Sequence, residues 1–290
     1  MLYTIKNNNL TVTVSDLGGE LWSVKGGNCE YIWYGKEEFW PNRAPLVFPV
    51  CGRFYEAKYT AKETVYDLPC HGFIRTSTLT VTEHTDTSIC MELKASEETM
   101  QVYPYDFVLK VWYILDGNKL TNRFEIFNPG AEVLPATVGG HPGFNVPLDG
   151  NGTFEDYYVE FENECSPDKF LFTERCLLTG KKEAFPLENG KILHLRHDLF
   201  DNDAIFLHRA DSTVTLKSGK TDRYVKLTYP DMPYLGIWHK PLLEAPYVCI
   251  EPWCGMPGYD EVMEDMDKRP DMFHIQPGSS KNVEFSMIFG

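Results

Sequence analysis

Period-two alternation runs through this chain almost from end to end. "NLTVTVSD", "TLTVTEH", "SICMELKA", "FVLKVWYIL", "KLTNRFEIFN", "DYYVEFE", "DAIFLH", "STVTLKS", "RYVKLTYP" and "NVEFSMIF" either alternate polar and apolar residues or run β-branched and aromatic. Turn signals such as "DLGG", "KGGN", "LDGN", "FNPGAE" and "LDGNGT" separate them. Helical periodicity is not sustained anywhere, and only "DEVMEDMDK" suggests a short turn of helix. Many strands without intervening helices predict an all-β chain of antiparallel sheets stacked as a large β-sandwich. No linker, repeat or shift in composition marks a boundary, so residues 1–290 are expected to form a single domain. Loops on one rim or one concave face of such a scaffold are where function is expected.

Charge and cysteine usage narrow the partners. Lys+Arg 27 against Asp+Glu 42 leaves a net charge of −15, a surface that repels phosphate backbones and anionic lipid. Nucleic acid and membrane are therefore excluded as expected partners, and small neutral or weakly charged molecules remain. The start, "MLYTIKNNNLTVTVSD", carries no basic and apolar signal pattern, and no apolar run approaches a membrane span. The 8 cysteines contain no CxxC pair, which points to reduced, mostly buried thiols. A soluble cytoplasmic protein, monomer or homodimer, is the expectation.

Four segments break the strand pattern by setting titratable residues among glycine, proline and aromatic residues. They are "APLVFPVCGRF" with Arg53, "LPCHGFIR" with His71, "PATVGGHPGFNVPLDG" with His141, and "YVCIEPWCGMPG" with Glu251. Glycine permits close approach and proline holds φ, so the frame around His141 would aim its side chain. Taken singly, His141 and His71 also fit histidines satisfied in loops or at strand ends, and Arg53 a surface ion pair. Glu251 ends the apolar run "VCI" before Pro-Trp, and a part-buried carboxylate there must be paired, structural or catalytic. Trp238 and Trp253 fit core positions or sugar-stacking walls.

Two chemistries use this inventory. His71, His141 and Glu251 would make a two-histidine, one-carboxylate metal set, but catalytic sites of that type often bring two ligands from one element, and no H-x-H or HExxH occurs. The favoured chemistry is general acid–base work, with a carboxylate base and a histidine acid on opposite sides of a small polar substrate. A glycosidase would need two positioned carboxylates, and only Asp203 in "DNDAIFL" offers a weaker second.

Together these segments resemble the aldose 1-epimerase (galactose mutarotase) family, in particular its LacX-like branch. "VSDLGGELWSV", "YGKEEFWPNRAPLVFPVCGRF", "HGFIR", "YPYDFVLKVWYIL", "GGHPGFNVPL", "NDAIFL", "PYLGIWHK" and "CIEPWCGMPG" follow in the family's order over nearly the whole length. The resemblance implies a galactose mutarotase-like supersandwich with a sugar-binding groove, and no cofactor or metal. Glu251 matches the family's catalytic base and His141 its catalytic acid. Arg53 and His71 match substrate-binding positions, and Asp203 matches a sugar-hydroxyl-binding aspartate. Trp238 and Trp253 are expected as walls or stacking residues.

The implied reaction opens the pyranose. Glu251 takes the anomeric hydroxyl proton, His141 protonates the ring oxygen, the C1–C2 bond rotates, and the ring recloses on either face. This chain has "CGRFYEA" where galactose mutarotases proper carry an Asn-Gly-Arg-x-x-Asn-Arg segment, and "IEPW" where they carry Glu-Thr/Pro-Gln. Arg53 and Arg75, with Arg43 if its loop reaches the groove, would instead suit a sugar phosphate. A non-catalytic carbohydrate-binding protein on the same scaffold is the remaining alternative.

Overall fold

The computed structural model describes residues 1–290. All ten alternating stretches become strands, because a strand with one buried face needs an apolar residue at every second position. In Val108–Asp116, Leu109, Val111, Tyr113 and Leu115 are buried while Lys110 and Trp112 face outward.

Two large antiparallel sheets form the sandwich. The nine-stranded sheet runs, edge to edge, through Ile192–His194, Tyr157–Phe161, Thr213–Ser218, Tyr224–Thr228, Ser280–Phe289, Lys119–Phe127, Val108–Asp116, Ser88–Lys94 and Thr80–His84. The eight-stranded sheet carries Leu178–Ala184, Asp168–Phe172, Ile205–His208, Tyr234–Trp238, Tyr247–Trp253, Gly139–Gly140 and Leu46–Val47 in that order, with Gly143–Asn145 also paired to Tyr247–Trp253. A four-stranded sheet (Leu2–Lys6, Thr11–Ser15, Leu21–Gly26, Cys29–Glu30) and two short ribbons complete the chain. The last strand, Ser280–Phe289, pairs with Lys119–Phe127 on one side and Tyr224–Thr228 on the other, so the chain's end lies mid-sheet.

The strand Tyr247–Trp253 positions the site. Every one of its residues is buried, so both of its faces are covered. Val248 and Ile250 point into the main core, which they share with Leu109, Val111, Leu216 and Leu227 of the nine-stranded sheet. Tyr247, Cys249, Glu251 and Trp253, on the opposite pleat, face away from that core. Each fully buried aliphatic side chain contributes about 1.5–3 kcal/mol, and that core anchors the strand from behind.

One element was not foreseen. Glu97–Val102 is an α-helix started by Ser96, whose hydroxyl accepts from the Thr99 N–H at 3.2 Å while its own N–H donates to the Thr99 hydroxyl at 2.8 Å. Six residues are too few for helical periodicity to show, and only the reciprocal cap in "SEET" signals it. In "DEVMEDMDK" the expected turn is the 3₁₀ segment Met266–Lys268. No helix is long and apolar enough to cross a membrane. All 8 cysteines are free, and five of them are buried.

Candidate active site

The outer face of the eight-stranded sheet carries a cleft of about 340 Å³, within the range of small-molecule pockets. Arg53, His71, Arg75, His141, Asp203, Trp238, Glu251 and Trp253 all line it, so residues up to 200 positions apart in sequence converge on one cavity. Arg43 does not join them. Its guanidinium lies 4.4 Å over the Trp22 ring and donates to the Trp22 carbonyl.

His141 is placed by close backbone approach. Gly139 pairs with Trp253 across the sheet, and a Cβ on Gly139 would come within 2.5 Å of the Trp253 ring. A Cβ on Gly140 would meet the Phe285 ring at the same distance. The His141 N–H then donates to the Pro45 carbonyl, and the Pro142 carbonyl accepts from Ile250. His71 is held by strain and hydrogen bonding together. Its φ is +66°, a left-handed conformation that costs a non-glycine residue about 1–2 kcal/mol. Its Nδ1 accepts from the Gly52 N–H at 3.1 Å, which leaves the proton of the neutral ring on Nε2.

The two central groups are adjacent. His141 Nε2 lies 3.4 Å from Glu251 Oε2, which corrects the expectation that acid and base stand on opposite sides of a substrate. Both residues are buried, His141 at 9% and Glu251 at 1% exposure. Burial disfavours charge on each of them. It lowers the imidazole to about 3, and it pushes the Glu251 carboxyl well above its usual range, with the Asp203 charge adding to the rise. Burial likewise depresses His71, reinforced by His141, Arg75 and Arg53.

Buried polar atoms left unpaired concentrate here. Of five in the protein, four belong to cleft residues: His141 Nδ1, Glu251 Oε1, Trp253 Nε1 and Thr173 Oγ1. Each unsatisfied group costs about 1–3 kcal/mol, and a ligand rich in hydroxyls would supply the missing partners.

The walls are aromatic. Trp40 stacks on the His141 ring with centroids 5.0 Å apart, Trp238 meets it edge-on at 5.6 Å, and Trp253 packs on Phe206 at 4.4 Å. Trp40 was not named as a site residue, although it stands inside the recognised "YGKEEFWPNRAPLVFPVCGRF". Cys70, beside His71 in "LPCHGFIR", was also missed, as were Thr173 and Cys176, which lie outside the four singled-out segments. Asp203 is already engaged by the protein, accepting from the Trp238 indole N–H at 2.7 Å and from the Cys176 thiol at 2.8 Å. It thus braces a wall, and its remaining lone pairs stay available to a ligand. Arg75 donates to the Cys70 carbonyl, and neither Arg53 nor Arg75 is paired with a carboxylate.

A metal set of His71, His141 and Glu251 does not assemble. The compact group of potential ligand atoms is His141, Cys249 and Glu251, within 4.8 Å of one another.

Comparison with known proteins agrees with this architecture. The family model described as aldose 1-epimerase matches residues 1–285. The plasmid LacX protein of Lactococcus lactis subsp. lactis is 34% identical over 300 aligned residues, covering 99% of this chain and 100% of that protein. Among solved structures, a galactose mutarotase related enzyme from Lactobacillus acidophilus superposes with a TM-score of 0.95 at 34% identity, over 100% of this chain and 97% of the other. A galactose mutarotase-like protein from Lactobacillus casei gives 0.94 at 26% identity, with 100% of both chains covered.

Proposed function

The chain belongs to the aldose 1-epimerase family and is an isomerase acting on carbohydrates, and on that premise we propose that it interconverts the α and β anomers of an aldohexose through Glu251 and His141. The observation that carries this reading is the 3.4 Å separation of His141 Nε2 and Glu251 Oε2 at the floor of the cleft. The anomeric hydroxyl and the ring oxygen of a pyranose are bonded to the same carbon. A base and an acid close to one another can therefore each reach one of those two oxygens.

The proton count closes without help from solvent. With the pair as carboxylate and imidazolium, Glu251 takes the O1 proton, the C1–O5 bond breaks, and His141 delivers its proton to O5. The open aldehyde then faces a protonated Glu251 and a neutral His141, the forms that burial favours. Rotation about C1–C2 and the reverse transfers close the ring on either face. A positioned pair of this kind contributes about 10²–10⁴-fold in rate. His71, through Nε2–H, and Arg53 would hold substrate oxygens in register. Trp238 and Trp253 would pack against the ring's C–H faces.

Polarimetry of freshly dissolved α-glucose and α-galactose tests the reading. Acceleration by the wild type that disappears in Glu251→Gln supports it, and a wild type that matches buffer on every sugar removes it.

One observation favours a second substrate class. Arg53 and Arg75 face the cleft without carboxylate partners in a protein of net charge −15, a placement that suits a sugar phosphate. Under this reading glucose 6-phosphate is turned over in preference to glucose, and Arg75→Met abolishes the preference.

A further inference from the structure

The strand that supplies Glu251 also supplies a side chain that the isomerase reaction does not use. Cys249 stands two residues before Glu251 on the same pleat and is 0% exposed, and no hydrogen bond satisfies its thiol. Its cross-strand neighbours are Gly143 on one side and Trp238 on the other, it packs in one cluster with Trp33 and Tyr247, and the neighbour of Glu251 is Gly236. His141 closes the third side. Its imidazole, the Cys249 sulfur and the Glu251 carboxylate place one donor atom each within 4.8 Å of the others. The imidazole and carboxylate each also carry an unpaired buried atom, His141 Nδ1 and Glu251 Oε1.

We propose that His141, Cys249 and Glu251 form a binding site for a single thiophilic divalent cation of the zinc type, and that its occupancy switches the isomerase off. The inhibitory half rests on the function proposed above, and the binding half does not.

The donor set selects the ion. Sulfur and imidazole nitrogen suit zinc or cobalt, whereas magnesium and calcium require oxygen ligands in greater number. Zinc bonds of about 2.0–2.3 Å at tetrahedral angles put neighbouring ligand atoms about 3.3–3.8 Å apart. The His141–Glu251 separation of 3.4 Å already meets that range. Bringing the longest separation into it takes a side-chain shift of about 1 Å. Three protein ligands leave the fourth position to water. Binding sends the thiol proton, and any proton on the Glu251–His141 pair, to solvent. The coordinated imidazole then has neither a free ring lone pair nor an added proton to deliver to the ring oxygen, and the metal's charge lowers the basicity of the bound carboxylate. Cys249 is not among the residues that line the cleft, so its replacement leaves the metal-free reaction intact.

The test uses the full chain stripped of metal with chelator. Calorimetric titration with Zn²⁺ is expected to show one ion per chain, and Co²⁺ to give a thiolate-to-cobalt charge-transfer band in the near ultraviolet. Cys249→Ser and Cys249→Ala are expected to lose the band and to weaken zinc binding at least about tenfold. Both variants should keep circular dichroism and metal-free mutarotation within about twofold of wild type, while zinc inhibition moves to correspondingly higher concentration. Stoichiometric zinc binding unchanged by either substitution, or no binding in the wild type, overturns the proposal. Zinc binding with the cobalt band in a protein that turns over no sugar retains the site and removes the function proposed above.

Discussion

The Trp238 indole N–H donates to the Asp203 carboxylate at 2.7 Å, so one wall of the cleft hangs on a charge that also acts on the buried Glu251. Asp203 occupies a left-handed conformation, φ +74°, to reach that position. A single side chain thereby braces the pocket wall and adds to the rise that burial imposes on the Glu251 carboxyl.

Asp203→Asn separates these two effects. The amide oxygen still accepts from Trp238, but the charge that helps raise Glu251 is gone. The reactive form of the Glu251–His141 pair carries one proton, and its upper pH limit is set by the pair losing that proton. Removing the Asp203 charge is expected to shift the alkaline limb of kcat/KM to lower pH. A limb that stays in place would show that Asp203 does not govern the pair.

Glu251→Gln is expected to lower kcat about 10²–10⁴-fold without loss of fold. Because burial raises the folded-state value above 4.5, wild-type Glu251 contributes its full stability only below the unfolded value and loses it as pH rises through the folded one. The variant's stability relative to wild type should therefore increase between about pH 4 and about pH 8. Urea midpoints at the two pH values measure this directly, and an unchanged difference would mean that Glu251 ionises freely in the fold.

His141 gives the opposite sign. Its folded value is depressed from 6.5 to about 3, so its contribution is complete above 6.5 and is lost as pH falls toward 3. His141→Asn should flatten the decline of wild-type stability over that interval, and it should lower kcat as Glu251→Gln does. Denaturation curves at stepped pH check the first outcome and polarimetry the second.

Gly139→Ala would set a methyl group 2.5 Å from the Trp253 ring and 3.0 Å from Val47. Overpacking of this kind costs about 1–3 kcal/mol. Relief by displacement of Trp253 would open the wall beside His71, whose ring centroid lies 5.2 Å away. A lower denaturation midpoint together with a raised KM is the expected result, while full stability with unchanged KM would contradict the packing.

The strands were legible because alternation is local. "FVLKVWYIL" and "NVEFSMIF" state which face of each strand is buried without reference to any partner. The titratable residues set among glycine and proline were legible for a similar reason, since a backbone that constrained marks a side chain being aimed. Arg53, His71, His141 and Glu251 were found that way, and they share one cleft. The six-residue helix after Ser96 was too short to leave a period.

What only the tertiary structure decided is adjacency. "YVCIEPW" is buried on both faces, so its apolar run carries no alternation to show that Glu251 and Trp253 face the cleft and Cys249 an aromatic cluster, while Val248 and Ile250 face the core. The 3.4 Å contact of His141 with Glu251, the stacking of Trp40 on His141 and the engagement of Asp203 by Trp238 and Cys176 join residues distant in sequence. Period two assigns a face to each residue, but strand order in the sheet and the packing of loops over it arise from non-local pairing. The amino-acid pattern thus named the chemical groups and the layer they occupy. Sheet order and loop packing placed His141 beside Glu251 and the Cys249 thiol beside both.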